Sequence, residues 1–559
     1  MSQCMKDLSK EILAYTLQNA IAHGKADTGR ILPKLFQHGL DKKEIPLVMN
    51  EINEIVKKVN NLNDKQRAEL FATAENIVKK EENKQDYELS EIPDSPVSKK
   101  MVFRMAPFPS GAMHIGNTKT YLLNALYAEK YSGDLLLVMD DTIGSVEKPL
   151  MKEAYDLIPQ AIEWLGINVK KTYYKSDRLE IYYEYAEKLI ELNKAYVCYC
   201  KAEILRENRA KGQECSCRQY PKGIQIARWK ELFKPQVKEG DAVLRIKTDM
   251  QHPNPAFRDR VLFRIADREH PRVGKKYRVW PTLEMCWSVD DHLLGITHII
   301  RGNDLMIESD MEKYIWDIFK WKHPILIHTG LVRLEGVGAK LSKSKAQKEV
   351  VSGQFSGWDD PRTWSVQSLA RRGILKESIR EFVKRIGLNK QDIVVPIEAL
   401  YAINRQIIDS SSGRYSFVED SVRLNLKNMP TVSGISVPVH PNKPEETRVV
   451  KIGNNLTISG KDFNSHKGKE VRLIHLFNIK IGDMSDVTSI ENKKIPKIQW
   501  VSDGVPARVL MVEGNWIEGL VEPAVLKLKK DSVIQFERFG FVKFDGIKNG
   551  IPEFWFAHP

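Results

Sequence analysis

Two groups of residues carry types and spacings suited to chemistry. The first is the turn Pro107-Phe-Pro-Ser-Gly-Ala-Met-His-Ile-Gly-Asn117, which joins a short apolar run to a helical stretch. Gly111 and Gly116 permit close backbone approach, and a helix start offers unpaired N–H groups and the positive end of its dipole to a phosphate. From Gly111 to Thr118 the chain nearly spells the phosphate-cradling pattern G-x-x-x-x-G-K-[ST], and Leu135–Asp141 resembles the acidic strand that supports magnesium in such sites. Asn117, however, stands where that pattern needs a lysine on the β- and γ-phosphates, so a simple ATP-hydrolysing site is the weaker reading. The second group is Cys198-Tyr-Cys200 with Cys215-Ser-Cys217. Four thiolates can close a tetrahedral structural zinc site, and small buried thiols are the alternative for so tight a C-x-C spacing. Cys4 and Cys286 stand alone, and Cys286 is expected in the core.

These residues need elements to hold them. VFRMA at 102–106 reads as a strand, YLLNALYAEKY as a helix, LLLVM at 135–139 as the next strand, and 151–165 as an amphipathic helix. Strand, helix, strand in this order implies a parallel sheet with a right-handed crossover. A similar series runs from about 279 to 330 and includes ITHIIRG and ILIHTG. We therefore expect an α/β catalytic domain over 100–194 and 276–350, split by a basic, irregular insertion over 195–275. Residues 1–82 read as a helical N-terminal extension, with Leu8, Ile12, Leu13, Tyr15, Leu17 and Ala20, then Ile52, Ile55 and Val59, near helical spacing. The charged stretch 83–99 reads as a linker, 351–428 as a helical junction, and 429–559 as β-barrels built from short strands.

At 559 residues the chain predicts roughly three to four domains. Its net charge of +13 and pI near 9.1 suit a polyanionic partner, because Lys and Arg gain free energy from phosphate neutralisation and counterion release. No apolar run approaches the ~20 residues that span a bilayer, and the start MSQCMKDLSKEIL lacks a signal-peptide apolar region. We expect a cytoplasmic monomer without a membrane partner, and in that compartment clustered cysteines point to metal rather than disulfides.

The turn resembles the HIGH motif of class I aminoacyl-tRNA synthetases, written here His114-Ile115-Gly116-Asn117. That resemblance demands a mobile lysine loop of the K-M-S-K-S type far downstream, and Lys340-Leu-Ser-Lys-Ser344 matches it. Within the Glu/Gln branch the chain is similar to archaeal-type glutamyl-tRNA synthetases from about 100 to 559, through FRMAPFPSGAMHIGN, VDDHLLGITHIIRG, GWDDPRTWS, INRQIID and VIQFERFGFV. The resemblance implies a Rossmann-like catalytic domain that uses ATP and Mg2+ to activate L-glutamate. The glutamyl-adenylate is then transferred to the 3′-terminal adenosine of tRNA(Glu), releasing AMP and pyrophosphate; tRNA(Gln) is a second candidate acceptor. It places Pro107, Pro109, Gly111, His114, Gly116, Asn117, Lys340, Ser342 and Lys343 around ATP, with His114, Asn117, Lys340 and Lys343 catalytic. Catalysis by such a set is positioning and charge stabilisation, the first two donating to phosphates and the lysines adding charge.

The same resemblance puts Arg104, Ala106, Asp140 and Arg301 around glutamate. Arg104 and Arg301 match positions that contact its carboxylates, and Asp140 one that faces its α-amino group; guanidinium groups suit carboxylates through paired hydrogen bonds. Glutaminyl relatives carry a neutral side chain at the position of Arg301. A buried cation there is expected to favour glutamate and to be left unpaired when glutamine binds. Phe108, Val138, Ile143 and Leu283 depart from the family pattern. The insertion is expected to hold the acceptor end of tRNA, with Lys201, Arg206, Arg209, Lys211 and Arg218 as its charge. The C-terminal region is expected to read the anticodon, with Trp500, Trp516, Arg538, Phe539 and Phe541 as stacking and basic material. Trp358, Asp359, Asp360 and Arg362 are expected to brace the helical junction. The rival readings are a glutaminyl-tRNA synthetase, an ATPase, and an RNA-binding protein without catalysis.

Overall fold

The computed structural model describes residues 8–35, 38, 40, 44–78, 87–92, 100–144, 149–337, 343–453 and 455–559. The chain forms two compact units, Met1–Tyr87 and Glu88–Pro559. Cys4, Lys340 and Ser342 lie outside the described residues, as does the side chain of Lys343.

The first unit packs four helices, α1 (Ser9–His23), α2 (Thr28–Leu35), α3 (Ile45–Asn60) and α4 (Asp64–Val78). Its core contains Leu8, Ile12, Tyr15, Leu17, Ala20, Ile52 and Val59, the residues whose spacing predicted helices, with Leu13 and Ile55 packed against them.

In the second unit, a five-stranded parallel sheet has the order β3 (Lys171–Tyr174), β2 (Asp134–Met139), β1 (Val102–Met105), β8 (His298–Gly302), β9 (Ile325–Thr329). Leu135–Met139 are all buried, as strands covered on both faces require. Helices α5 (Ile115–Lys130), α6 (Ala154–Trp164) and α7 (Leu179–Glu191) follow β1, β2 and β3. The chain winds outward from β1 to β3 and then returns to β8 on the other side of β1. This leaves a crevice at the carboxyl ends of β1 and β8, where open α/β sheets bind ligands.

The segment expected to be a linker is in part packed structure. Leu89 and Ile92 are buried in the core of the sheet, the Tyr131 hydroxyl accepts from the Ile92 N–H (3.0 Å), and Lys130 donates to the Leu89 carbonyl (2.6 Å). Two apolar residues in a charged stretch suffice to anchor it; residues 93–99 lie outside the described residues.

The insertion is more regular than its sequence suggested. Strands β4 (Ala195–Cys198), β5 (Val243–Ile246), β6 (Val261–Ile265) and β7 (Val279–Pro281) form an antiparallel sheet in that order, carrying α8 (Ala202–Lys211) and α9 (Lys222–Glu231). The strands are three to five residues long and β5 holds a buried arginine, Arg245, so hydrophobic periodicity alone does not reveal them. β7 belongs to this sheet, which moves the boundary from 275 to 281. Arg209 donates to the Pro255 and Ala256 carbonyls and Arg218 to the Thr248 carbonyl, so both hold the insertion's own loops together.

Helix α10 (Leu283–Leu293) returns the chain to β8, and α11 (Met306–Phe319) joins β8 to β9. Strand β10 (Val332–Glu335) pairs in parallel with β11 (Ile393–Pro396). Between them lie α12 (Lys343–Val351), α13 (Val366–Arg372) and α14 (Lys376–Ile386), and α15 (Glu398–Ile408) follows. The β-rich region then begins earlier than expected, at Arg414. Arg414–Tyr415 pairs with Val533–Phe536 and Phe417–Glu419 with Trp516–Val521, in one seven-stranded sheet. Strands of two and three residues acquire their identity only from distant partners.

Candidate active site

The turn from Pro107 to Asn117 is fixed by its own side chains. His114 caps α5, its Nδ1 accepting from the Gly116 N–H (3.1 Å), while Asn117 Oδ1 accepts from the His114 N–H (3.2 Å). The acceptor role of Nδ1 selects the tautomer with its proton on Nε2, which makes the far nitrogen of His114 a donor. With Oδ1 committed to the cap, Asn117 likewise offers its amide N–H groups.

A second strand of contacts braces the turn. His114 bridges to Ser365, and the Val366 N–H donates to the Met113 carbonyl (2.8 Å). Gly111 has φ +132°, and a Cβ there would sit 2.2 Å from the Trp358 ring, so only glycine lets the indole pack beneath the turn. Trp358 thus braces the Pro107–Asn117 turn itself. Asp360 accepts from Arg362 and Asp359 pairs with Arg371, holding the junction as expected.

One cavity of about 790 Å³ is lined by Arg104, Ala106, His114, Gly116, Asn117 and Arg301. A neighbouring cavity of about 1040 Å³ shares His114, Asn117, Tyr121 and Asp304 and adds Asp140, with Phe108 and Leu283 on its wall. Pro107 and Pro109 are buried behind the turn, their carbonyls accepting from the N–H groups of Asp140 (3.0 Å) and Met151 (2.9 Å). Val138 and Ile143 are buried in packing positions.

The charges lining these cavities come already partnered, which the sequence did not disclose. Arg104 makes a two-pronged buried pair with Asp291, Arg301 Nη1 donates to Glu312 (2.8 Å), and Lys175 donates to Asp140 (2.8 Å). Arg301, the cation expected to be left unpaired when glutamine binds, therefore has a carboxylate of its own. Burial pushes the Asp140 and Glu312 carboxyls above their ordinary range, with Lys175 and Arg301 opposing the shift. The three cations surround one indole, Arg104 at 5.0 Å, Lys175 at 4.9 Å and Arg301 at 5.3 Å from the Trp287 ring centre. Lys175, Trp287 and Glu312 were not singled out in advance; only Asp291 lay inside a quoted motif.

Lys119 is a further tie. Its ammonium donates to Thr329 Oγ1 and the Gly330 carbonyl (2.9 Å each) and to Asn389, joining α5 to the end of β9. Burial pulls its pKa down to about 8.

In the insertion, the sulfurs of Cys198, Cys200, Cys215 and Cys217 all lie within 4.8 Å of one another. A tetrahedral zinc with Zn–S of about 2.3 Å sets its sulfurs about 3.8 Å apart, so the donor set fits that ion. Arg245 Nη1 lies 3.8 Å from the sulfurs of both Cys198 and Cys215, a cation placed to favour thiolates. Cys286 is buried in the core as expected.

In the C-terminal region Trp500 and Phe541 are buried and cannot stack on bases, and Phe539 packs against a core cluster. Trp516 is exposed, with Arg508 4.4 Å above its ring. Arg538 pairs with Asp462 (2.7 Å).

Comparison with known proteins agrees with this architecture. The family described as tRNA synthetases class I (E and Q), catalytic domain, matches residues 100–410, and its anti-codon binding domain matches 412–496 and 497–545. The chain is 39% identical to the glutamate–tRNA ligase of Pyrococcus abyssi over 97% of this chain and 98% of that one. Against the ligase of Pyrococcus horikoshii the figures are 40%, 97% and 98%, and against that of Methanothermobacter marburgensis 36%, 98% and 99%. With matches running through the sheet, the junction and the β-rich region alike, the chain belongs to the class I glutamyl and glutaminyl tRNA synthetases.

Proposed function

We propose that this protein is a glutamate–tRNA ligase, activating L-glutamate with ATP and transferring it to the 3′-terminal adenosine of tRNA(Glu). The observation that carries this reading is the meeting of a phosphate-binding turn and two buried arginines, Arg104 and Arg301, in one cavity. In the reaction a glutamate carboxylate oxygen attacks the α-phosphorus of ATP and pyrophosphate leaves. His114 through Nε2, Asn117 through its amide and the N-terminus of α5 donate to the phosphates, where each donor aimed at developing charge lowers the barrier by ~3–4 kcal/mol. Mg2+ supplies further neutralisation of the triphosphate. Lys340, Ser342 and Lys343 are assigned to the mobile loop that closes on ATP. Arg301 orients the side-chain carboxylate, Arg104 and Ala106 line the same pocket, and Asp140 faces the amino group.

Residues 195–281 hold the acceptor end of tRNA, stiffened by zinc on Cys198, Cys200, Cys215 and Cys217; there zinc supplies structural cross-linking. The region from 412 reads the anticodon. The glutaminyl reading is not favoured, because the full-length relatives above are glutamate–tRNA ligases.

The test is to charge purified tRNA(Glu) and tRNA(Gln) with labelled glutamate and glutamine. Glutamate on tRNA(Glu) is the expected product, and the tRNA(Gln) arm reports whether a second acceptor is used. If neither tRNA accepts glutamate from this protein, the assignment is overturned.

A further inference from the structure

We propose that the Tyr121 hydroxyl holds the α-carboxylate of glutamate, the group that attacks ATP. The inference rests on the glutamate–tRNA ligase reading and deepens it.

Tyr121 lies four residues beyond Asn117 on α5, so the two side chains share one face of the helix. Four residues line both cavities of the site: His114, Asn117, Asp304 and Tyr121. An amino acid that reaches from Arg301 in the first cavity to Asp140 in the second passes these four. His114 and Asn117 are assigned to the phosphates, and Asp304 is an anion. Tyr121 is left as the donor that the amino acid meets on the way.

The hydroxyl is available for that task. The ring packs against the core of the sheet, the residue is half-buried, and its oxygen makes no hydrogen bond to any described residue. Arg301 Nε and Trp287 Nε1 also lack partners but are enclosed, whereas the Tyr121 hydroxyl keeps surface open on the cavities. The buried cations of the site are already matched, Arg104 by Asp291, Lys175 by Asp140 and Arg301 by Glu312. Burial raises the pKa of the phenol above its ordinary value, and the Asp140 and Asp304 carboxylates push it the same way. The group therefore keeps its proton and acts as a neutral donor.

The α-carboxylate is the acceptor that fits this place. Its oxygen attacks the α-phosphorus, so it lies beside the Pro107–Asn117 turn, while Arg301 takes the γ-carboxylate and Asp140 the amino group. With one oxygen held by Tyr121, the other is turned toward phosphorus. That free oxygen bonds to phosphorus as the bond to pyrophosphate breaks, and the held oxygen becomes the carbonyl oxygen of the adenylate. The phenolic proton stays on Tyr121 throughout. When the 3′-terminal adenosine attacks, the same donor faces the oxygen on which charge develops.

Tyr121→Phe in the full-length protein removes this oxygen and no hydrogen bond of the fold, so the melting temperature is expected to stay unchanged. Glutamate-dependent exchange of pyrophosphate with ATP is measured in the presence of tRNA(Glu). The KM for glutamate is expected to rise about tenfold or more, as for a lost hydrogen bond to a charged group. The KM for ATP is expected to stay within about twofold. An unchanged glutamate KM, or a rise shared by both substrates, overturns the proposal. Transfer from preformed glutamyl-adenylate to tRNA(Glu), followed in a single turnover, is expected to slow by about tenfold or more. An unchanged transfer rate would put the hydroxyl on another group of the amino acid and overturn the proposal as well. A wild type without glutamate-dependent exchange or charging overturns the ligase reading instead.

Discussion

Single residues at the site do two jobs at once. His114 and Asn117 cap the helix whose start lines the cavity, so the same hydrogen bonds that end the turn also choose the tautomer and the amide orientation. Gly111 shows how tight that arrangement is. Gly111→Ala must move either the turn or the Trp358 ring, since φ +132° and a Cβ 2.2 Å from the indole are both unfavourable. We expect a loss of about 1–3 kcal/mol in stability and a fall of at least roughly tenfold in kcat/KM for charging, read by thermal melting and steady-state kinetics. A variant with wild-type kinetics would show that the turn tolerates displacement. The motif residues were legible through the resemblance of His114-Ile115-Gly116-Asn117 to the motif of a known family. Their counterions were not: Glu312 and Lys175 are ordinary residues of helix and loop in the sequence, and only the sheet brings them against Arg301 and Asp140.

At the scale of elements, the insertion behaves as a small antiparallel sheet whose edge strand β4 ends on Cys198, with Cys200 two residues beyond it. The clustering of the four cysteines was legible in their paired spacing, whereas β5 to β7, at three to five residues each, were too short to be seen. With zinc as the cross-link, purified protein is expected to contain about one zinc per chain by elemental analysis. Removal by chelator, or Cys215→Ser, should speed hydrogen exchange in Ala195–Cys198 and Val243–Ile246 while leaving β1 and β2 protected. Metal-free protein with the same exchange in those strands would mean that packing of Tyr196 and Arg245 suffices.

Across the larger unit, the C-terminal strand closes on the helical junction. Arg372, fully buried, donates to the carbonyls of Phe556 (3.1 Å) and Ala557 (2.7 Å), and the penultimate residue His558 is buried against Tyr401 with Asn404 at 3.0 Å. Burial holds the His558 imidazole down to about 4 from its ordinary 6.5. The folded ring stays neutral while the unfolded chain takes up a proton below 6.5, so stability falls as pH drops from 6.5 toward 4. Across that window the loss amounts to roughly 3 kcal/mol. His558→Gln is expected to flatten the fall in melting temperature between pH 6.5 and 4; an unchanged slope would place the acid sensitivity elsewhere.

The sequence by itself determined the alternation of strands and helices and the cysteine quartet, because periodicity and spacing are local properties of the chain, and it indicated the class of chemistry through its resemblance to a known family. What only the tertiary structure decided were the partners. Which carboxylate neutralises Arg301, which tryptophan lies under Gly111, and which two-residue strands join a seven-stranded sheet all depend on contacts between residues far apart in the chain. Burial then sets their energies. A charged side chain reads the same in sequence whether it meets water, a substrate or a buried counterion, and those three surroundings give it different chemistry.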